Sequence, residues 1–249
     1  MILLTPINIV YHFRMIINEY FDKIYLLNLF RRKDRLDKSK SKLDNLNINY
    51  SVFNGTDGSV IRYVWDKLQN SYFSNPNYLG CAISHLSIYK DAVEQNYQRV
   101  LILEDDNLVF KNIDAFLNTK EVPEWKDLFY LGYIPLSDNC DMWTYQYGIQ
   151  GHNMICDNFF RPKNLWGLYS YGISNSLMNE MISVYNESFP MEIDRFFVNT
   201  IQPRNQSIAI SPQLFCCDDN IHSDNLGFTP GNMTQKSIDS RFANPSDYI

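Results

Sequence analysis

The chain has 249 residues, 45% of them hydrophobic and 15% aromatic, which is enough for one ample core and too apolar for a disordered or fibrous protein. Lys and Arg number 22 against 28 Asp and Glu, giving a net charge of -6. A protein that neutralises nucleic-acid phosphates needs the opposite balance, so a general nucleic-acid binder is excluded, whereas a nucleotide-sized anion needs only a few local donors.

In chain order, the first stretch, "MILLTPINIVYHFRMII", is apolar, but Asn8, His12 and Arg14 interrupt it. It therefore predicts neither a transmembrane span nor the apolar region of a signal peptide. Residues 1–21 read as an N-terminal extension and residues 22–249 as a single domain, since no repeat, low-complexity tract or linker divides them. "KIYLLNL" at 23–29 is a short apolar run that predicts a strand, and in the charged segment after it Leu36, Leu43 and Leu46 recur near helical spacing. "INYSVFNG" predicts a second strand ending in the turn "NGTDG". Val60, Ile61, Val64, Trp65 and Leu68 then share one helical face.

Ala82, Leu86, Tyr89, Val93 and Tyr97 recur every three or four positions, the stripe of a core-facing helix, and the strand "RVLILEDD" follows directly. Strands alternating with helices predict an α/β fold with a mostly parallel sheet flanked by helices, and near-continuous apolar strands are what burial on both faces requires. In such sheets ligands sit beyond the carboxyl ends of the strands, which is where Glu104, Asp105 and Asp106 fall.

A carboxylate beside a hydrophobic core needs solvent, a cationic side chain or a metal ion. While the extended conformation persists, Glu104 and Asp106 point to one side and Asp105 to the other. Two hard oxygen donors on one side suit Mg2+ or Mn2+, which usually takes its remaining ligands from water and substrate phosphates. A solvated loop capping a helix is the other reading. Five cysteines without a spaced framework predict thiols in a reducing compartment, and hence a cytoplasmic chain; the sequons at Asn54, Asn186, Asn205 and Asn232 arise readily by chance in an Asn-rich sequence.

The blocks "IYLLNLFRRKDR" (24–35), "FNGTDG" (53–58), "LGCAISHLSIY" (79–89), "LILEDD" (101–106), "DLFYLG" (127–132), "YSYGIS" (169–174), "FPMEID" (189–194) and "SDN" (223–225) resemble, in order and spacing, those of glycosyltransferase family 25. That family includes lipooligosaccharide and collagen galactosyl- and glucosyltransferases. The resemblance implies a Rossmann-like fold of the GT-A type and an inverting hexosyltransferase. Its donor would be a UDP-sugar carrying galactose or glucose, its cofactor Mn2+ or Mg2+, and its acceptor a hydroxyl on a glycan or a hydroxylysine-type protein.

By the same resemblance Asp106 is the metal ligand of the acidic motif, while Glu104 or Asp105 holds donor ribose, a metal-bound water or sugar hydroxyls. Asn28 and Leu29, at the end of the first strand, lie near the nucleotide in this family. Arg32 and Arg35 just beyond are candidates to grip phosphate oxygens by paired hydrogen bonds, or else merely solvate a helix. Asp57 and Gly58 shape a base and ribose pocket, Gly permitting positive φ, or form an ordinary polar turn. Ser84 and His85 are read into the first turns of their helix, where backbone N–H groups favour an anion; a packed core histidine is the alternative.

Asp194 is the first choice for the general base that takes the acceptor proton, although at the start of "EIDRFFVNTI" it also complements a helix dipole. His222, in "CCDDNIHSDN", is a candidate late metal ligand beside Asp218, Asp219 and Asp224. Trp143, Tyr145, Tyr147, Phe159, Phe160 and Trp166 are candidates to stack on an acceptor, or else core. A two-metal phosphoester hydrolase would need more ligands than four His residues allow; a non-catalytic carbohydrate- or nucleotide-sugar-binding protein of the same fold is the competing class.

Overall fold

The computed structural model describes residues 16–61, 76–135, 153–218 and 245–249. The helix expected around Val64, Trp65 and Leu68 lies outside these residues, as do Trp143, Tyr145, Tyr147, Asp219, His222 and Asp224.

From the N-terminus run α1 (Ile17–Tyr20), β1 (Lys23–Asn28), α2 (Lys33–Asn45), β2 (Ser51–Asn54), α3 (Pro76–Glu94) and β3 (Arg99–Glu104). After these come β4 (Asn107–Val109), α4 (Ile113–Leu117), β5 (Leu128–Tyr130), β6 (Ile134–Pro135), β7 (Asn153–Cys156), β8 (Phe159–Arg161), β9 (Leu165–Trp166) and β10 (Ser170–Ser174). The last elements are α5 (Asn175–Glu187), α6 (Ile193–Phe196), a π-helical turn (Phe197–Ile201), β11 (Ile208–Ile210) and β12 (Phe215–Cys217).

Eight strands make one sheet in the order β2-β1-β3-β10-β5-β11-β8-β7. The pairs β1–β2, β1–β3 and β5–β11 are parallel, and β10 and β8 run against their neighbours. Six strands therefore share one direction, and the expected mostly parallel α/β sheet is what forms.

Why β1 and β3 are apolar throughout is visible in their packing. Tyr25 and Leu27 of β1, with Val100 and Ile102 of β3, enter a core covered by α3 and α5. The alternate residues Ile24, Leu26, Leu101 and Leu103 enter a second core with α1, Leu43 of α2 and α4. Side chains of period two thus meet apolar partners on both faces, and neither strand has a solvent side to mark with polar residues. Phe159 and Phe160 split in the same way between the two cores, so they are core rather than acceptor-stacking aromatics.

The residues just before β1 pack with the domain. Ile17 and Phe21 are buried, the Trp125 indole donates to the Tyr20 hydroxyl at 2.7 Å, and the Arg99 guanidinium lies over both rings. Residues 16–21 are therefore part of the second core. The C-terminal residues dock too: Val109 and Ile249 exchange backbone hydrogen bonds at 2.9 Å, and Tyr248 donates to the Gln213 carbonyl. Among the described residues, no helix is long and apolar enough to cross a membrane.

Candidate functional site

The carboxyl ends of β1, β2 and β3 lie side by side, and the acidic run caps the third. Along β3 the alternation carries Glu104 to the α3 side and Asp105 to the α2 side. Glu104 Oε1 is 3.1 Å from His85 Nε2 and 3.9 Å from Cys81 Sγ, both on α3. Asp105 is buried against α2, where Arg35 pairs with it and Ser39 donates to its backbone carbonyl at 2.7 Å. Asn28, the last residue of β1, donates its amide to the other Asp105 carboxylate oxygen.

Asp106 departs from expectation. The strand ends at Glu104, so strict alternation stops, and Asp106 turns to the same Arg35, with 2.6 Å between Nη2 and Oδ2. Asp105 and Asp106, not Glu104 and Asp106, are the pair that shares a partner. Arg35 is correspondingly a buried counter-ion of the acids rather than an exposed phosphate grip. The second Asp106 oxygen, Oδ1, is buried and makes no hydrogen bond.

Burial pushes the Asp105 carboxyl up to about 7 and that of Asp106 to about 6; Arg35 opposes the rise, and the neighbouring carboxylates add to it. Arg35 thus faces more carboxylates than it can balance alone.

Further bonds fasten the corner. Asn107 donates its amide to the carbonyls of Glu104 (2.6 Å) and Tyr169 (2.8 Å), which joins β3 to the start of the antiparallel β10. Lys42 donates to the Asn107 carbonyl at 2.8 Å and stands 3.6 Å from Asp218, whose backbone N–H bonds the Asp106 carbonyl.

The turn after β2 packs on α3 through two glycines. A Cβ on Gly80 would lie 2.7 Å from the Thr56 carbonyl, and one on Gly58 only 2.5 Å from Asn77 Cα. Gly58 is needed for this close approach and not for a left-handed backbone, since Gly167 is the glycine with positive φ among the described residues. Ser84 completes the junction, accepting from Thr56 N–H and donating to the Gly80 carbonyl.

The helix spans Pro76–Glu94, so Ser84 and His85 stand more than two turns past Pro76 and offer no helix-terminal anion site. His85 is fully buried, as the packed-histidine reading has it. Asp57 is held below the usual carboxylate range because hydrogen bonds from Ser59 and Arg31 outweigh its burial. Arg32 is paired with Asp34 at the start of α2, and Leu29 is half-buried next to the turn.

Asp194 lies in the first turn of α6, just before the π-helical turn, an irregularity often found at functional sites. Burial raises its carboxyl to about 6, with Glu192 and Glu104 adding to the shift, so Asp194 and the acidic strand end feel each other's charge. Leu177 and Met178, which follow Ser174, are core on α5. Sequence reading missed Cys81 and Arg31. The first stands four residues before His85, one helical turn away, and that spacing was the available signal. The partner of Arg31, Asp57, is 26 residues distant and left no local pattern.

The family model described as "Glycosyltransferase family 25 (LPS biosynthesis protein)" matches residues 21–197. Procollagen galactosyltransferase 2 of Mus musculus is 31% identical over 98 residues, covering 34% of this chain and 16% of that protein. The human protein named inactive glycosyltransferase 25 family member 3 is 30% identical over 130 residues, covering 45% of the chain and 22% of that protein. The matched stretches thus span about a fifth or less of these relatives' lengths. Among solved structures, a glycosyltransferase involved in glycosylation of the major capsid of PBCV-1 aligns with 85% of this chain and 97% of its own, at 11% identity and a TM-score of 0.47.

Proposed function

Because the chain belongs to glycosyltransferase family 25, we propose that it moves a hexose, galactose or glucose, from a UDP-sugar to a hydroxyl acceptor on a glycan or protein, with inversion and with the help of Mn2+ or Mg2+. The observation that carries this reading is the Asp105–Asp106–Arg35 corner at the carboxyl ends of parallel strands, with Asp194 within electrostatic reach of Glu104 beside it.

The residues present fit a hard divalent cation. Asp106 Oδ1 is a buried carboxylate oxygen without a hydrogen bond, and the corner carries more negative charge than Arg35 balances. Asp106 would hold the ion, and Asp105, fixed by Asn28 and Arg35, would orient it from behind. Such an ion, when bound, stabilises the charge developing on a departing diphosphate as a Lewis acid. Asn28, Leu29 and the turn through Asp57 and Gly58 line the neighbouring strand ends, where a nucleoside would lie.

The chain's own part in the chemistry falls to Asp194. A base must be ionised to accept the acceptor's hydroxyl proton, and it works best with a pKa near the operating pH. Burial and neighbouring acids bring Asp194 to about 6, which keeps it ionised at neutral pH yet more basic than an exposed carboxylate. A binding protein of the same fold without turnover is the second reading, favoured by the likeness to a relative named as inactive.

One experiment separates the two: thermal melting and UDP release of the purified chain against a panel of UDP-sugars, each with Mn2+, with Mg2+ and with EDTA. Stabilisation by one UDP-sugar that disappears with EDTA, accompanied by slow UDP release, supports the transferase. Stabilisation without release, even with acceptors supplied, supports the binding protein. No response to any nucleotide sugar overturns the transferase and a nucleotide-sugar-binding protein alike.

A further inference from the structure

Cys81 and His85 stand four residues apart on α3 and so share one face. That face meets the end of β3, where both approach the same oxygen of Glu104. His85 Nε2 is 3.1 Å from it and Cys81 Sγ 3.9 Å, and the three donor atoms lie within 4.8 Å of one another. In a tetrahedral zinc site with bonds of about 2.0–2.3 Å, neighbouring donor atoms are separated by roughly 3.3–3.5 Å. The trio brackets that spacing, and small side-chain rotations would meet it.

The surroundings also suit a metal. His85 is fully buried, and its other ring nitrogen, Nδ1, sits 2.8 Å from the Tyr171 hydroxyl, which in turn lies 2.5 Å from that of Tyr89. An outer partner of this kind fixes the ring and tautomer of a metal-binding histidine. Cys81 and Glu104 are only half-buried, so the trio is not sealed from solvent. Asp194 feels the charges of Glu192 and Glu104, and Arg195 stands 3.2 Å from Glu192.

We propose that Cys81, His85 and Glu104 form a zinc-class metal site of one thiolate, one imidazole and one carboxylate with the fourth position open, separate from the Asp105–Asp106 pair. Sulfur and imidazole nitrogen select Zn2+ over Mg2+ or Mn2+, which prefer oxygen. Binding releases the Cys81 thiol proton to solvent, and the imidazole binds through Nε2 with its remaining proton on Nδ1, donated to the Tyr171 oxygen. The site does not depend on the transferase reading, because it is defined by donor atoms and tested by metal alone.

The test uses the full chain, purified without chelator, with its metal content measured and the metal-free chain titrated with Zn2+ and with Co2+. The expected result is one zinc per chain and, with Co2+, a near-ultraviolet thiolate-to-metal charge-transfer band. Cys81→Ser should abolish the band and weaken Zn2+ binding at least about tenfold, and Tyr171→Phe should weaken binding about 10- to 100-fold while keeping the band. Asp106→Asn should leave both unchanged. Circular dichroism confirms that each variant is folded, and Glu104→Gln, at a half-buried position, serves as the second ligand variant. Absence of Zn2+ binding by the wild-type chain, or binding that survives Cys81→Ser and Glu104→Gln, overturns the site and leaves the trio as a hydrogen-bonded support for Glu104.

Discussion

Arg35 Nη2 lies 2.6 Å from Asp106 Oδ2, and the same nitrogen meets Asp105. One buried guanidinium therefore balances two buried carboxylates, and removing it strands both. Arg35→Met is expected to destabilise the chain by about 3–5 kcal/mol, the usual cost of an uncompensated buried charge. Urea unfolding measures it, and a loss under about 1 kcal/mol would show that the pair is already neutralised by protonation or water.

Asp106→Asn keeps the shape of the side chain and removes its charge. The expected outcome is a folded protein whose stabilisation by a UDP-sugar no longer depends on Mn2+. In the wild type, ligand at 100 times its dissociation constant should add about 2.7 kcal/mol of apparent stability. Equal, EDTA-sensitive shifts in both proteins would remove Asp106 from the metal site.

Asp194→Asn tests the base. Turnover should fall by about 10²- to 10⁴-fold while the donor-induced thermal shift stays unchanged. The sign of the pH dependence follows from the raised carboxyl: the active form is ionised, so wild-type kcat should be full at neutral pH and fall as pH drops through about 6. A mutant that keeps the wild-type rate and the same acid limb places the base elsewhere.

Gly80→Ala would drive a methyl group to 2.7 Å from the Thr56 carbonyl, a backbone atom that cannot rotate away. Overpacking of this kind costs about 1–3 kcal/mol. Because Ser84 ties the same turn to α3, the variant should also weaken donor binding more than the exposed control Lys38→Ala does. Calorimetric titration with UDP reads that difference.

Legibility from sequence followed the range of the underlying interaction. The apolar runs "KIYLLNL" and "RVLILE" announced strands buried on both faces because each residue's fate is set by its own strand's period. The sidedness of the acids failed where that period ended. Alternation held through Asp105, but the chain turns after Glu104, and Asp106 followed Arg35. Nothing in "RRKDR" reveals that Arg35 will be buried, since its partners are some 70 residues away in sequence. Gly58 was read for backbone freedom when packing required it, and packing between a turn and a helix leaves no local mark. Cys81 was overlooked because cysteines were weighed as a disulfide framework rather than by helical spacing to His85.

The antiparallel placement of β10 between β3 and β5 has a kinetic consequence. The bonds that assemble the acidic corner join residues 62, 77 and 86 positions apart, through Asn107 and Tyr169, Asn28 and Asp105, and His85 and Tyr171. No short segment can rehearse such contacts, and loop closure must be overcome before any of them is made, so the corner should be among the last parts of the molecule to organise. During refolding, helical signal from α3 and α5 should return well before the chain can recognise a ligand, and the interval between the two is the time the sheet takes to close around its reversed strand.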